Sequence, residues 1–419
     1  MPREMKDSGI EWIGEIPSEW IVRKGKWILS IFDKPIKEDD GVITCFRNGE
    51  VTLRSNRREE GFTFAIQEIG YQGVDVGDLV VHGMDGFAGA IGISDSRGKA
   101  SPVLNVMDST ENKRYIMYYL RNMAYNGIFI ALATGIRVRS CDTNWNKLKE
   151  LPYIFPSKEE QQAIADFLDK KCAEIDAVIE QTKATIEEYK KLKQSIITEA
   201  VTKGIRGNRP MKDSGNTWYG CIPSEWDIRK LKYVFTIKKD IAGKEGYTVL
   251  SITQKGVVPK NISSNEGQLA ESYSNYQLVA IGDFAMNHMD LLTGWVDISK
   301  HEGVTSPDYR VFVLNDTINN CKQYYLYLMQ MCYSNRIFYG LGQGVSGMGR
   351  WRLQADKFLN FTIPIPPTQE QQEIADYLDQ KCVEIDALVT KKEQIVVELE
   401  AYKKSLIYEV VTGKREVNN

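Results

Sequence analysis

Arg47, Asn48, Arg54, Asn56, Arg57 and Arg58 fall within a twelve-residue stretch in which Glu50 is the only acid. Arginine and asparagine are the side chains that can read guanine and adenine edges bidentately, and arginine also pairs with phosphate. Arg137 and Arg139 lie further on, in the Gly-flanked stretch ATGIRVRSC. Gln343, Ser346, Arg350 and Arg352 lie in another, GQGVSGMGRWRLQ. Gln254 and Lys255 stand on a turn ahead of Gly256 and Pro259. His82, two residues before Met84, and the pair Asn287-His288, ahead of Met289, complete the set. Any one of these reads as a solvated loop residue. Together they are candidates for a DNA surface of polar loops, some holding phosphates and some reading bases.

Residues able to make or break bonds are not arranged for it. Gly342, Gly344 and Gly347 fit GxGxxG formally, but a dinucleotide fingerprint needs a strand before it, and here a helical stretch precedes. Ser306-Pro307-Asp308-Tyr309 faintly resembles the SPPY-type motif of amino-methyltransferases, without its second proline or a Gly-rich cofactor strand upstream; it reads as a turn. No GxxxxGK[ST], HExxH or GxSxG occurs, and His82, His288 and His301 form no HxxxH pair. The seven cysteines contain no CxxC. Catalysis by this chain alone, a bound cofactor and a metal are not expected.

Composition narrows the class further. The chain has 419 residues, 42% of them hydrophobic, and 53 Lys plus Arg against 56 Asp plus Glu, for a net charge of −3. That is enough apolar material for two or three domains. It excludes a uniformly basic tail, but a local basic face can still neutralise phosphates. Met1-Pro-Arg-Glu is followed by no apolar leader, and runs such as 128–133 are too short to span a bilayer. A reduced, cytoplasmic protein with no membrane segment is expected.

The elements that would position these loops come in duplicate. MKDSGIEWIGEIPSEWIVRK (5–24) and MKDSGNTWYGCIPSEWDIRK (211–230) share 14 of 20 residues. EQQAIADFLDKKCAEIDA (160–177) and EQQEIADYLDQKCVEIDA (370–387) share 14 of 18. Between them GDLVVHGMDGFAGAIGIS (77–94) aligns weakly with GDFAMNHMDLLTGWVDIS (282–299), each followed by Ser-Pro. A period near 200 residues is a domain duplication, not a solenoid. Stretches near 42–54, 77–94, 247–258 and 282–299 read as strands, and 112–126 and 320–335 as aromatic-rich core helices.

Each repeat ends in a predicted rod. Residues from about 158 to 202 contain no Gly or Pro, and their apolar residues recur close to every 3.5 positions. Ser157 with Glu160, and Thr368 with Gln371, look like capping boxes; Gly204 and Gly413 look like stops. Predicted seam residues are Ile164, Leu168, Cys172, Ile175, Ile179 and Ile186 on the first rod. On the second they are Ile374, Leu378, Cys382, Ile385, Val389 and Leu399. Pairing with the twin rod would bury both stripes, and so would a foreign helix.

The duplicated SGxxWxGxIPSEW (8–20, 214–226), the divergent middles and the duplicated EQQxIADxLD (160–169, 370–379) resemble the specificity subunit of type I restriction–modification enzymes. The resemblance covers essentially the whole chain. It implies an α+β fold: two α/β target-recognition domains separated by two long antiparallel coiled-coil helices, with an internal pseudo-twofold repeat. On that basis 1–155 holds the lead and first recognition domain, 156–206 the first helix, 207–366 the second lead and domain, and 367–419 the second helix. It also implies that each domain reads half of a split, asymmetric site on double-stranded DNA. The helices would set the spacer and recruit two methyltransferase subunits that use S-adenosylmethionine; two restriction–translocase subunits using ATP and Mg can join them. The alternatives are an enzyme in its own right, such as a fused methyltransferase or nuclease, and a coiled-coil scaffold or transcriptional regulator with no modification partner.

Overall fold

The computed structural model describes residues 3–57, 68–132, 143–261, 270–344 and 351–417. The chain divides into two units, Met1–Lys183 with Gln394–Asn419, and Ala184–Glu393. The division falls inside both predicted rods. Each unit therefore contains the first part of one rod and the last part of the other.

The first unit opens with Met5–Asp7 paired to Glu15–Pro17, and Ile21–Lys24 pairs with Pro152–Phe155 from the far end of the repeat. Its main sheet is antiparallel, in the order Leu29–Ile31, Leu104–Ser109, Leu79–His82, Ile91–Ile93. Ile43–Cys45 with Val51–Leu53, and Gln72–Val74 with Gly98–Ala100, form two further ribbons. Helix α1 (Lys113–Tyr125) begins where the Asn112 side chain accepts from the Arg114 and Tyr115 amides, relieving two orphan donors. Its Tyr115, Tyr119 and Met123 stripe is buried, as the sequence predicts. Two single turns, α2 (Ile128–Ala131) and α3 (Trp145–Leu148), lead to α4 (Lys158–Lys203), the first rod.

The second unit repeats this strand for strand. Its main sheet runs Phe235–Lys238, Arg310–Leu314, Phe284–Met286, Val296–Ile298, again antiparallel. The same four accessory pairs recur. Helices α5 (Lys322–Ser334), α6 (Ile337–Gly340) and α7 (Ala355–Asn360) precede α8 (Thr368–Val411), the second rod.

One set of contacts fastens each lead to its rod. Trp20, fully buried, donates from Nε1 to Glu160, and Arg3 forks onto the same carboxylate. In the second unit Trp226, Glu370 and Arg209 repeat the arrangement, with distances of 3.0 Å and 2.6 Å to the carboxylate. Tyr115 and Tyr324 each donate to two carbonyls, one of which closes the end of a rod: Val411 in the first unit, Val201 in the second. Tyr118 donates to Asp169, and Tyr327 to Asp379. Of these, Trp20, Glu160 and Asp169 and their counterparts lie in the repeated motifs, while Arg3, Tyr115 and Tyr118 recur outside them.

The capping expectation needs correction. Ser157 does accept from the Glu160 amide, but the Glu160 carboxylate is spent on Trp20 and Arg3 rather than reaching back. Thr368 donates to the Asn319 carbonyl, and Gln371 bridges the Pro366 carbonyl and the Cys321 amide, so no box forms there. The stops hold: Gly204 and Gly413 have φ of 75° and 71°. A Cβ on Gly413 would sit 2.4 Å from Pro17, so both the turn and the close approach require glycine.

At 46 and 44 residues the rods are roughly 65–70 Å long. In the first unit Asp176 pairs with Lys403 and Arg415 lies over Phe167. In the second Lys193 pairs with Asp386 and Arg206 with Glu373. Rising numbers on one helix meet falling numbers on the other, so the helices are antiparallel. Ile164, Leu168, Cys172, Ile175 and Ile179 join the first unit's core, with Leu399 partly buried against it and Leu406, Ile407, Val410 and Val411 beside them. Ile374, Leu378 and Cys382 join the second, with Ala200 and Val201. Ile186 and Ile385 are buried and Val389 half-buried. Burial raises the Cys172 and Cys382 thiols above the usual range, as for packed small side chains.

Candidate nucleic-acid interface

In the first unit the candidates gather at the tip of the ribbon Ile43–Cys45/Val51–Leu53. The turn Phe46–Gly49 closes with a Gly49 amide to Phe46 carbonyl bond, and Gly49 has φ of 87°. This leaves Arg47 and Asn48 outermost. Arg47, 63% exposed, pairs with Asp85 at 2.8 Å. The Asn48 side chain accepts from the Glu50 amide. Arg57 folds back over the Phe46 ring at 4.3 Å and pairs with Glu50. Arg54 donates to Thr44 further down the ribbon. His82 stands beside this group, but its Nδ1 accepts from the Met84 and Asp85 amides. Burial keeps the imidazole below its ordinary value, which favours that neutral acceptor. His82 therefore shapes the loop carrying Asp85, and Arg47, Asn48 and Arg57 are the side chains that present donors outward.

In the second unit the corresponding ribbon, Leu250–Thr253 with Gly256–Pro259, has only Gln254 and Lys255 at its tip, both exposed. Gln254 reaches the Thr293 carbonyl at 3.5 Å. Asn287 does what His82 does: its Oδ1 accepts from the Met289 and Asp290 amides. Asp290 then caps the Leu292 and Thr293 amides. Gln343 and Arg352 pair through their backbones, and the Leu353 amide donates to the His288 carbonyl. Asn287, His288, Gln343 and Arg352, far apart in sequence, thus meet at one end of the sheet. Arg58, Arg137, Arg139, Ser346 and Arg350 lie outside the described residues.

Sequence reasoning missed Arg310 at this end. It opens a strand reading RVFVL, is 5% exposed, and lies over the Phe358 ring at 4.8 Å. Its Nη2 donates to the Leu353 carbonyl. Burial lowers the guanidinium to about 10. Burial, then Arg310 and Arg352, push the neighbouring His288 imidazole down to about 3. A charged residue in an otherwise apolar strand was the available signal. Among the described residues no group of three or more His, Cys, Asp or Glu could hold a metal ion. Among them, too, no helix is long and apolar enough to cross a membrane.

The chain is two copies of one α+β unit that share a framework and differ at their ribbon tips. Residues 223–398 match the family model described as type I restriction modification DNA specificity domain. The MjaVIII type I restriction enzyme specificity subunit of Methanocaldococcus jannaschii is 26% identical over 342 residues, 77% of this chain and 76% of that one. The MjaX chain of the same organism, also carrying a specificity-subunit name, is 24% identical over 450 residues, 97% and 96% of the two chains. Two solved structures share the fold. One, from work on assembly and conformational transition of the type I R-M system, has a TM-score of 0.69 at 12% identity, covering 96% of this chain and 99% of the other. The HsdS subunit from Thermoanaerobacter tengcongensis has a TM-score of 0.50 at 14% identity, covering 96% and 98%. Over most of its length the chain is thus similar to specificity subunits of type I restriction–modification enzymes, and its second repeat carries the match to the DNA specificity domain.

Proposed function

We propose that each unit reads one half of a split, asymmetric DNA site, and that this chain performs no catalysis of its own. The observation that supports this is the contrast within the duplication. The contacts that build each unit are copied, whereas the ribbon tips carry Arg47 and Asn48 in one and Gln254 and Lys255 in the other. Different donors on equivalent tips suit different half-sites. The rods, which pass from one unit into the other, set the spacer and recruit two methyltransferase subunits; restriction–translocase subunits join that assembly. S-adenosylmethionine, and ATP with Mg, belong to those partners. A modified adenine must leave the base stack, so the partner flips it while the recognition units hold the flanking duplex.

The test is a map of N6-methyladenine in cells with and without this chain, the cognate methyltransferase being present in both. A split motif that vanishes on deletion, with one adenine modified on each strand, is the expected result. An unchanged methylome in cells where the two proteins co-purify would refute the reading.

A further inference from the structure

The two units differ most sharply at one buried position. Asn105 and Arg310 occupy equivalent places, each in the central strand and each donating to the carbonyl of an equivalent residue, Thr143 or Leu353. Asn105 is fully used: it also donates to the Val81 carbonyl and accepts from the Trp145 amide. Arg310 is not. Its Nη1 is buried with no hydrogen-bond partner among the described residues, and none of their carboxylates forms an ion pair with it. His288 stands where the first unit has Gly83, and its buried Nδ1 is likewise unpartnered. Asp290, the acid in the same loop, is already committed to Leu292 and Thr293.

A buried cation without a counter-charge is costly, and the fold did not demand it, since Asn105 does the structural job in the first unit without leaving an orphan. The cost is explicable when something anionic completes the site. We propose that Arg310 and His288 form an anion-binding corner of the second unit, closed in the unliganded chain, which takes a phosphate oxygen of bound DNA. Nη1 of Arg310 and Nδ1 of His288 would be the donors. Arg352, half-buried beside them, would add charge. The Leu353 carbonyl and the Phe358 ring hold the guanidinium, so little freedom is lost on binding. This rests on the recognition reading above and adds to it one phosphate contact that the first unit lacks.

The experiment compares wild type, Arg310→Met and Arg310→Lys, each as the full chain with its methyltransferase subunits. The probe is a duplex carrying the motif mapped in cells, titrated across salt. Arg310→Met should raise the melting temperature of the unliganded protein by a few degrees, because an unpaired buried charge is removed. It should weaken binding about tenfold or more and flatten the salt dependence by roughly 0.9 in log–log slope, one phosphate contact. Arg310→Lys should keep most of the affinity and slope. A lower melting temperature for Arg310→Met with wild-type affinity and slope would show a purely structural arginine and overturn the proposal. So would inorganic phosphate stabilising the wild type but not Arg310→Met while DNA binding is unaffected, since the site would then take a free anion. A wild-type complex that fails to bind the mapped duplex would instead defeat the recognition reading, and this inference with it.

Discussion

The lead–rod junctions recur in the two units, whereas the ribbon tips and the sheet ends beside them do not. At the junctions, Trp20, Arg3 and Glu160 match Trp226, Arg209 and Glu370 contact for contact. At the ribbon tips Arg47 answers to Gln254, and at the end of the main sheet Gly83 answers to His288 and Asn105 to Arg310. The junction must solve one packing problem twice. Under the proposed function, the ends face a ligand whose two halves need not be alike. Unlike side chains at equivalent places on a copied framework then mark where discrimination would be sought.

The comparison can be broken at its firmest point first. Although the junctions match in geometry, Glu370 is 1% exposed and Glu160 27%. Glu370→Ala leaves the Trp226 N–H buried and unpaired and takes from Arg209 its buried carboxylate, with only Glu225 and the Lys203 carbonyl remaining, which should cost about 2–4 kcal/mol. Glu160→Ala should cost only about 1–3 kcal/mol, because water can replace the lost partner. Hydrogen exchange resolved by unit should show the larger loss of protection in Ala184–Glu393; equal losses would mean that burial does not separate the two junctions.

Asn105 sharpens the second contrast. Asn105→Leu strips the partner from the Trp145 amide and from two carbonyls, and should destabilise the first unit by about 1–3 kcal/mol. Arg310→Met is expected to move stability the other way. The same sign in both variants, read by denaturant midpoint, would erase the distinction between a satisfied and an unsatisfied position.

His288 supplies a pH signature. Its folded value lies far below that of the unfolded chain, so the unfolded state binds more protons between them. Stability is then fully present above about 6.5 and is lost as pH falls toward about 3. The slope contributed is at most about 1.4 kcal/mol per pH unit. His288→Gln should flatten the second unit's pH dependence in that window, and an unaltered slope would contradict the buried, neutral assignment. The smallest effect is expected at Arg57, which is 41% exposed and held by Phe46 and Glu50. Arg57→Ala should leave stability within about 0.5 kcal/mol. If Arg57 touches phosphate, it should reduce the salt slope of DNA binding by about 1.

Much of the scaffold was readable from the residues. The rods have dozens of residues of unbroken apolar period, and the predicted span from about 158 to 202 became Lys158–Lys203. Helices α1 and α5 followed from aromatic stripes. Strands of three or four residues carry no measurable period, so the ribbons within 42–54 and 247–258 were read only as strand-like stretches, and Gln72–Val74 with Gly98–Ala100 was invisible. Glu160 looked like a capping residue because sequence shows spacing and not competition; Trp20 and Arg3, 140 and 157 positions away, took its carboxylate. That each core would enclose the end of the other repeat's rod was equally hidden, since a seam pattern does not name its partner. Asn287 and His82 illustrate the limit at the site: both are polar, exposed in sequence terms, and spent largely on local amides.

The central claim is that one unit governs one half-site. It is tested most directly by replacing residues 25–150 with the equivalent domain of another family member and mapping N6-methyladenine in cells expressing the hybrid with its methyltransferase. The account predicts a new motif in which one half changes and the other half and the spacer persist. A hybrid that alters both halves, or neither, while still assembling and methylating, would contradict it.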